Sequence, residues 1–207
     1  TKNNVAGLIT TKRAIQTNVL VDNGEIIVLG GLIDDRSGNG TEKVPGLGDI
    51  PQVLTLALTA RAPKVIDADA IGLVGEPGRL RGQNAILTPH EGEFLRLFGD
   101  VAGSKPERAL EAARQSDSVI VYKGPDTLVA APDGRLGFAP PAPAWLATAG
   151  TGDVLAGIAA AFVARGMPGF EAACAAAWVQ ARAAELAGPN MVADDLLSTI
   201  PAALDLK

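Results

Sequence analysis

Residues 64–98 read "KVIDADAIGLVGEPGRLRGQNAILTPHEGEFLRLF", and their grammar decides the fold. Two short apolar runs, KVIDA at Lys64–Ala68 and AILT at Ala85–Thr88, have strand length and each leads into a helical segment. EGEFLRLF, Glu91–Phe98, is amphipathic at helical spacing. Short strands alternating with helices are the signature of a mostly parallel α/β sheet. The pattern continues through the helix PERALEAARQ, the strand SVIVYKG, and the strand DTLVAA turning at Asp133-Gly134 into RLGFA. Two alanine-rich helices follow, one beginning at Asp153 and one near Phe170; Gly166 and Pro168 stop the first, and Gly188-Pro189 stops the second.

Upstream the grammar differs. "RAIQTNVLVDNGEIIVLGGLI", Arg13–Ile33, alternates at period two, and Asp22-Asn23-Gly24 tolerates positive φ, so residues 1–33 are expected to carry a β-hairpin. Residues 34–52, rich in Asp, Gly, Ser and Pro, read as a linker, and residues 53–207 as the α/β domain. No internal repeat at solenoid spacing is present.

Composition removes several functions. Lys and Arg number 18 against 23 Asp and Glu, a net charge of −5 that argues against a general nucleic-acid binder. One cysteine, Cys174, and one histidine, His90, exclude a disulfide framework and a Cys/His zinc site. No G-x-S-x-G elbow serves a serine nucleophile. The longest apolar run, Val154–Ala164, is too short for a membrane-spanning helix, and no signal peptide is visible in a chain whose first residue is Thr1.

Chemistry concentrates at strand ends. In "AGTGDVLAGI", Gly150, Thr151 and Gly152 turn into a helix whose opening amides have no intrahelical partner, which makes an anion cradle. Val154, Ile158 and Phe162 at i+4 spacing give that helix a buried stripe. Asp153, in its first turn, is expected to have a lowered pKa and reads either as a cap or as the acceptor of a hydroxyl proton. His90 follows a strand end and is either a solvated helix-start histidine or a ligand contact. Lys123-Gly124 ends another strand, where a lysine and exposed amides could meet phosphate or water alone. Asp67 and Asp69 suit a metal or, by preference, a cap on the next helix.

The ordered set "VIDADAIGL", "ILTPHEGEFLRL", "VYKGPDTLVAAPDGR" and "ATAGTGDVLAGIAAAFVARG" resembles the NAD(P)H-hydrate dehydratases, metabolite-repair enzymes of ribokinase-like fold, over residues 53–204. The resemblance implies that ADP or ATP phosphorylates the 6-hydroxyl of hydrated NADH or NADPH, and that elimination then restores the reduced nicotinamide. It implies Asp153 as the base and a substrate contact, His90 as a second substrate contact, and a nucleotide site of Lys123, Gly124, Pro125, Asp126, Thr127 and Gly152. Magnesium accompanies the nucleotide on chemical grounds.

Residues 11–51 resemble instead the C-terminal pore region of type II secretion secretins, through Gly30-Gly31-Leu32-Ile33, Val44-Pro45 and Gly48-Asp49-Ile50-Pro51. The expected architecture is therefore a truncated ribokinase-like sheet flanked by helices with an N-terminal hairpin appendage. Such a sheet exposes an edge and an uncovered apolar face, so a marginal fold, aggregation or recruitment of the hairpin is expected, with weak or absent catalysis; a homo-oligomer is a separate expectation. Cytoplasmic placement goes with the dehydratase reading, and an outer-membrane location only with a functional secretin segment. A small-molecule kinase of the same architecture is the enzymatic alternative, and a non-enzymatic secretin fragment in an outer-membrane pore is the other.

Overall fold

The computed structural model describes residues 27–29 and 50–205. Within them the sheet runs in the order β1 (Ile27–Leu29), β2 (Lys64–Ile66), β3 (Ala85–Leu87), β4 (Val119–Tyr122), β5 (Leu128–Ala130), β6 (Leu136–Phe138). Strands β1 to β4 are parallel, and β4 to β6 are antiparallel. The β5–β6 turn falls at the expected Asp133-Gly134, with Gly134 at φ 95°.

Strand alternation sends side chains to two apolar layers. Val65, Ile86, Val121 and Val129 meet α5 (Thr151–Ala164), α6 (Gly169–Ala187) and α7 (Ala193–Ala203) on one face. Ile66, Leu87, Ile120, Tyr122 and Leu128 meet α1 (Ile50–Thr59), α2 (Asp69–Val74), α3 (Glu91–Phe98) and α4 (Lys105–Ser116) on the other. Strands β2 to β5 are covered on both faces, which is why they read as near-continuous apolar runs. Helix α6 buries Ala172, Ala173, Ala176, Ala177, Ala183 and Ala184, small side chains that let its backbone approach the sheet and its neighbouring helices closely.

Several expectations change. The expected hairpin and its Asp22-Asn23-Gly24 turn lie outside the described residues, but Ile27–Leu29 from its second arm pairs in parallel with Lys64–Ile66 and extends the sheet at that edge. Helix α1 begins at Ile50, so residues 50–52 are helical and not linker; Pro51 fits because the first turn needs no N–H from it. Helix α5 begins at Thr151, two residues before Asp153. Helix α7 has no counterpart in the sequence pattern, since Pro201 in its later turns reads as a stop.

The stripe on α5 also differs. Leu155, Ala156, Ile158, Ala159 and Ala160 make the buried face, while Val154 and Phe162 are half-buried. Those two line an apolar groove of about 960 Å³ that begins at Asp153 and runs between α5 and α7 past Ala161, Leu197 and Ile200. It lies between helices and is lined by no strand residue, so it is not the uncovered sheet face expected of a truncated domain.

Candidate active site

The parallel strands β2, β3 and β4 end side by side, so the residues just beyond them converge. After β2 comes Asp67, 2% exposed, whose Oδ1 accepts from the Thr88 hydroxyl at 2.6 Å and from Lys123 Nζ at 2.9 Å. Thr88 follows β3 and Lys123 follows β4. The Lys123 amide donates to the Pro89 carbonyl at 2.8 Å, which ties the two strand ends together. Glu93, also buried, lies 3.5 Å from Lys123 Nζ. An ammonium has three N–H donors. Asp67 accepts one and Glu93 stands at ion-pair distance, so the ammonium keeps a third N–H beyond these two partners.

Asp67 is therefore not the cap that its position suggested. The residue preceding α2 is Ala68, at φ 52°, with no side-chain cap bond. Asp67 is turned into the strand-end cluster because burial of a carboxylate requires a cation and hydroxyl donors, and Lys123 and Thr88 supply them.

Helix α5 meets this cluster at its N-terminus. Gly150 adopts φ 89°, a left-handed conformation that a side chain resists, and a Cβ there would stand 3.1 Å from Ala193 Cβ. Thr151 is locked by its hydroxyl, which donates to the carbonyls of Leu146 at 2.9 Å and Thr148 at 2.8 Å, while its own carbonyl accepts from Gln180 Nε2 at 2.6 Å. The Thr151 amide is also taken, donating to the Thr148 carbonyl at 3.3 Å. The cradle is thus narrower than the sequence implied: among the described residues, the amides of Gly152 and Asp153 have no acceptor. A Cβ on Gly152 would stand 3.4 Å from Lys123 Nζ and 3.5 Å from Asp67 Oδ2, so the missing side chain is what opens the space between helix and cluster.

Asp153 is half-buried, and among the described residues its carboxylate accepts no hydrogen bond. Burial raises its pKa above the ordinary carboxylate range, the charge of Asp67 raises it further, and Lys123 opposes both. This reverses the lowering expected from the helix dipole. The dipole acts on an exposed first-turn acid, whereas here desolvation and a like charge outweigh it. A carboxylate with a raised pKa and no internal partner is suited to take a proton.

His90 caps α3. Its Nδ1 accepts from the Glu93 amide at 3.2 Å and its own amide donates to Glu93 Oε2 at 2.8 Å, a reciprocal capping box, with the ring largely exposed. The helix-start reading is correct for its backbone, and the ring lies beside the same Glu93 that faces Lys123. The β4–β5 loop closes on itself: the Thr127 hydroxyl donates to the Gly124 carbonyl at 2.8 Å and accepts from the Gly124 amide at 3.1 Å. Lys105, from the first turn of α4, pairs with Asp126 and holds its carboxyl below the usual range. Sequence reading missed Thr88, Glu93 and Lys105, because nothing local marks which strand end or helix start will face another.

A model for the NAD(P)H-hydrate dehydratase family matches residues 44–202. The chain belongs to the NAD(P)H-hydrate dehydratase family. A second model, for bacterial type II and III secretion system proteins, matches residues 1–59, overlapping the dehydratase match across α1. The ADP-dependent (S)-NAD(P)H-hydrate dehydratase of Neisseria meningitidis is 40% identical over 133 residues, 60% of this chain and 45% of that protein. The bifunctional NAD(P)H-hydrate repair enzyme Nnr of Salinibacter ruber is 42% identical over 173 residues, 76% of this chain and 32% of that protein. Among solved structures, the Bacillus subtilis ADP/ATP-dependent NAD(P)H-hydrate dehydratase co-crystallized with ATP/Mg2+ superposes with a TM-score of 0.66 at 31% identity, covering 74% of this chain and 58% of that one. A ribokinase-like superfamily protein of Enterococcus faecalis, 23% identical at a TM-score of 0.63, shares the fold. The chain thus spans less than half the length of these two curated relatives. Its dehydratase domain places all the strand-end groups above within the matched residues. Among the described residues no helix is long and apolar enough to cross a membrane.

Proposed function

We propose that the dehydratase domain binds ADP or ATP at the β4–β5 loop and the N-terminus of α5, and acts on hydrated NADH or NADPH presented to Asp153. The observation that supports this reading is the half-buried Asp153 carboxylate, raised in pKa and, among the described residues, without a hydrogen bond, beside the Gly152 and Asp153 amides that have no acceptor among those residues. Asp153 accepts the proton of the 6-hydroxyl as its oxygen attacks the terminal phosphoryl group of the nucleotide. The bond from phosphorus to the bridging oxygen breaks, and AMP leaves from ADP, or ADP from ATP. The developing charge is met by the two helix-start amides and the third N–H of Lys123. Loss of phosphate from C6 with a proton from the neighbouring carbon then restores the reduced ring. Lys123, Gly124, Pro125, Asp126, Thr127 and Gly152 form the nucleotide side of the site, and His90 contacts the hydrated ring across Glu93.

The donor set suits magnesium arriving with the nucleotide. Asp67 Oδ2 accepts no hydrogen bond among the described residues and faces the space that Gly152 leaves open. Among the same residues no group of three or more His, Cys, Asp or Glu could hold a metal alone, so phosphate oxygens and water would complete the shell. When bound, the ion neutralises phosphate charge.

Two measurements test the reading. Titration with ADP and ATP should raise the melting temperature of the purified chain. Incubation with hydrated NADH and nucleotide should slowly recover reduced-nicotinamide absorbance. Turnover is expected to be weak, since the open groove beside Asp153 leaves the substrate partly exposed to water. Failure of both nucleotides to shift the melting temperature refutes the nucleotide site. A stable phosphorylated product without recovered absorbance would assign the site to a small-molecule kinase.

A further inference from the structure

The start of α3 and the end of β4 are joined by a group of side chains that takes no part in the chemistry at Asp153. Tyr122, the last residue of β4 and fully buried, precedes Lys123; Glu91, the first residue of α3, follows His90. The Tyr122 hydroxyl donates to Glu91 Oε2, and Glu91 Oε1 accepts from Arg108 Nη2 at 2.8 Å. These two bonds hold the Glu91 carboxyl below its usual range, Arg108 having the larger effect. Phe94, one turn along α3 from Glu91, stacks on the Tyr122 ring with centroids 4.3 Å and planes 4° apart. Helix α3 therefore grips one tyrosine twice, by its face and by its hydroxyl.

The two grips do different work. A stacked pair tolerates sliding in the ring plane, whereas a charge-assisted hydrogen bond is directional and removes that freedom. Helix α4 secures both from its first turn. Arg108 lies 5.0 Å from the Phe94 centroid and 5.5 Å from the Tyr122 centroid, and Lys105 lies 4.9 Å from the Tyr122 centroid while bonding Asp126. One ring thus seats two cations, of which Arg108 serves the histidine side of the site and Lys105 the β4–β5 loop. Arg108 Nε is buried and has no acceptor among the described residues, so the guanidinium forgoes one hydrogen bond in reaching Glu91. Glu91 is 56% exposed, and water alone would solvate such a carboxylate. What the group supplies is the placement of α3 on β4.

We propose that the Tyr122 hydroxyl, acting through Glu91, sets the position of His90 relative to Lys123 and so governs affinity for the hydrated nicotinamide without governing affinity for the nucleotide. The inference rests on the reading of His90 as a contact to the hydrated ring, and it adds two residues to that side of the site. Tyr122 and Glu91 are positioning residues, since each acts through its neighbour. A displacement of about 1 Å at the start of α3 is enough to weaken a contact to a ligand that Asp153 engages from the other side.

The chain's one histidine supplies the readout. Hydrated NADH is titrated into the full chain without nucleotide, so that no turnover intervenes, and the His90 imidazole is followed by NMR. Wild type should give a saturable shift. Tyr122→Phe and Glu91→Gln should each weaken this affinity by about three- to thirtyfold. The double variant should be no weaker than the weaker single one, because both residues act through one bond. ADP affinity, read by calorimetry, should stay within about twofold of wild type in all three, since phenylalanine keeps the ring under Lys105. A merely structural hydroxyl would lower the melting temperature and leave both affinities unchanged. Binding of hydrated NADH by Tyr122→Phe within about twofold of wild type overturns the inference while leaving the role of His90 intact. Additive losses in the double variant overturn the action through Glu91. A wild-type His90 signal that does not respond to hydrated NADH refutes the substrate reading itself, and this inference with it.

Discussion

Lys123→Met is the substitution whose cost can be worked from the structure. Lys123 Nζ is 2.9 Å from Asp67 Oδ1 and 3.5 Å from Glu93 Oε2, and those two side chains are 2% and 9% exposed. Removing the ammonium leaves a buried carboxylate with one hydroxyl, from Thr88, and a second carboxylate nearby. Breaking one side of a buried ion pair costs about 3–5 kcal/mol, several times what an exposed pair contributes. For a domain of this size each kcal/mol lowers the melting temperature by roughly 2–4 °C, so the variant should melt roughly 6–20 °C below wild type. Urea unfolding should show the same loss with an unchanged slope. The cause is the stranded charge and not lost packing, so adding Asp67→Asn to Lys123→Met should recover at least about half of the loss. ADP should no longer shift the melting temperature of either variant. A loss below about 1 kcal/mol would place the pair with ordinary solvated surface bridges and refute the buried-cluster account. So would a double variant no more stable than the single one.

Asp153→Asn should lower turnover by about 10²- to 10⁴-fold while nucleotide binding persists, read by steady-state rates and ADP titration. Because burial and Asp67 raise its pKa in the folded state, the stability Asp153 contributes is present below the ordinary carboxylate range and lost as pH rises through the raised value. The Asn variant should therefore melt above wild type at neutral pH and converge with it in acid. Gly152→Ala should leave the melting temperature near that of wild type, since its Cβ meets Lys123 Nζ and Asp67 Oδ2 only at 3.4 and 3.5 Å, yet it should abolish the ADP-induced shift by filling the cradle. Lys64→Met should destabilise by about 1–3 kcal/mol in urea, because buried Lys64 Nζ donates to the carbonyls of Ala60 and Ala62, both at 2.8 Å, at the end of α1.

How much was legible follows from which signals are local. Strands β2 to β6 and helices α3 to α6 were readable because their apolar period and their glycine and proline stops lie within each segment. The cradle was readable because Gly150-Thr151-Gly152 runs directly into an apolar helix. Helix α7 was hidden by Pro201, and the start of α1 by Pro51 in a stretch that otherwise reads as loop. The α5 stripe was misread because i+4 spacing marks an apolar face without saying which neighbour covers it; Val154 and Phe162 line an open groove instead.

The sequence by itself determined the α/β class, the family, and the identity of the proton-accepting candidate, each encoded in short segments and their order along the chain. The tertiary structure alone decided what each charge faces. Asp67 and Lys123 are 56 positions apart, and Lys105 and Asp126 are 21 apart. Whether an aspartate caps a helix or holds a lysine, and whether burial or the dipole sets its pKa, depends on distances across the sheet. Parallel pairing brings strand ends together regardless of their separation in the chain, and no local pattern carries that information.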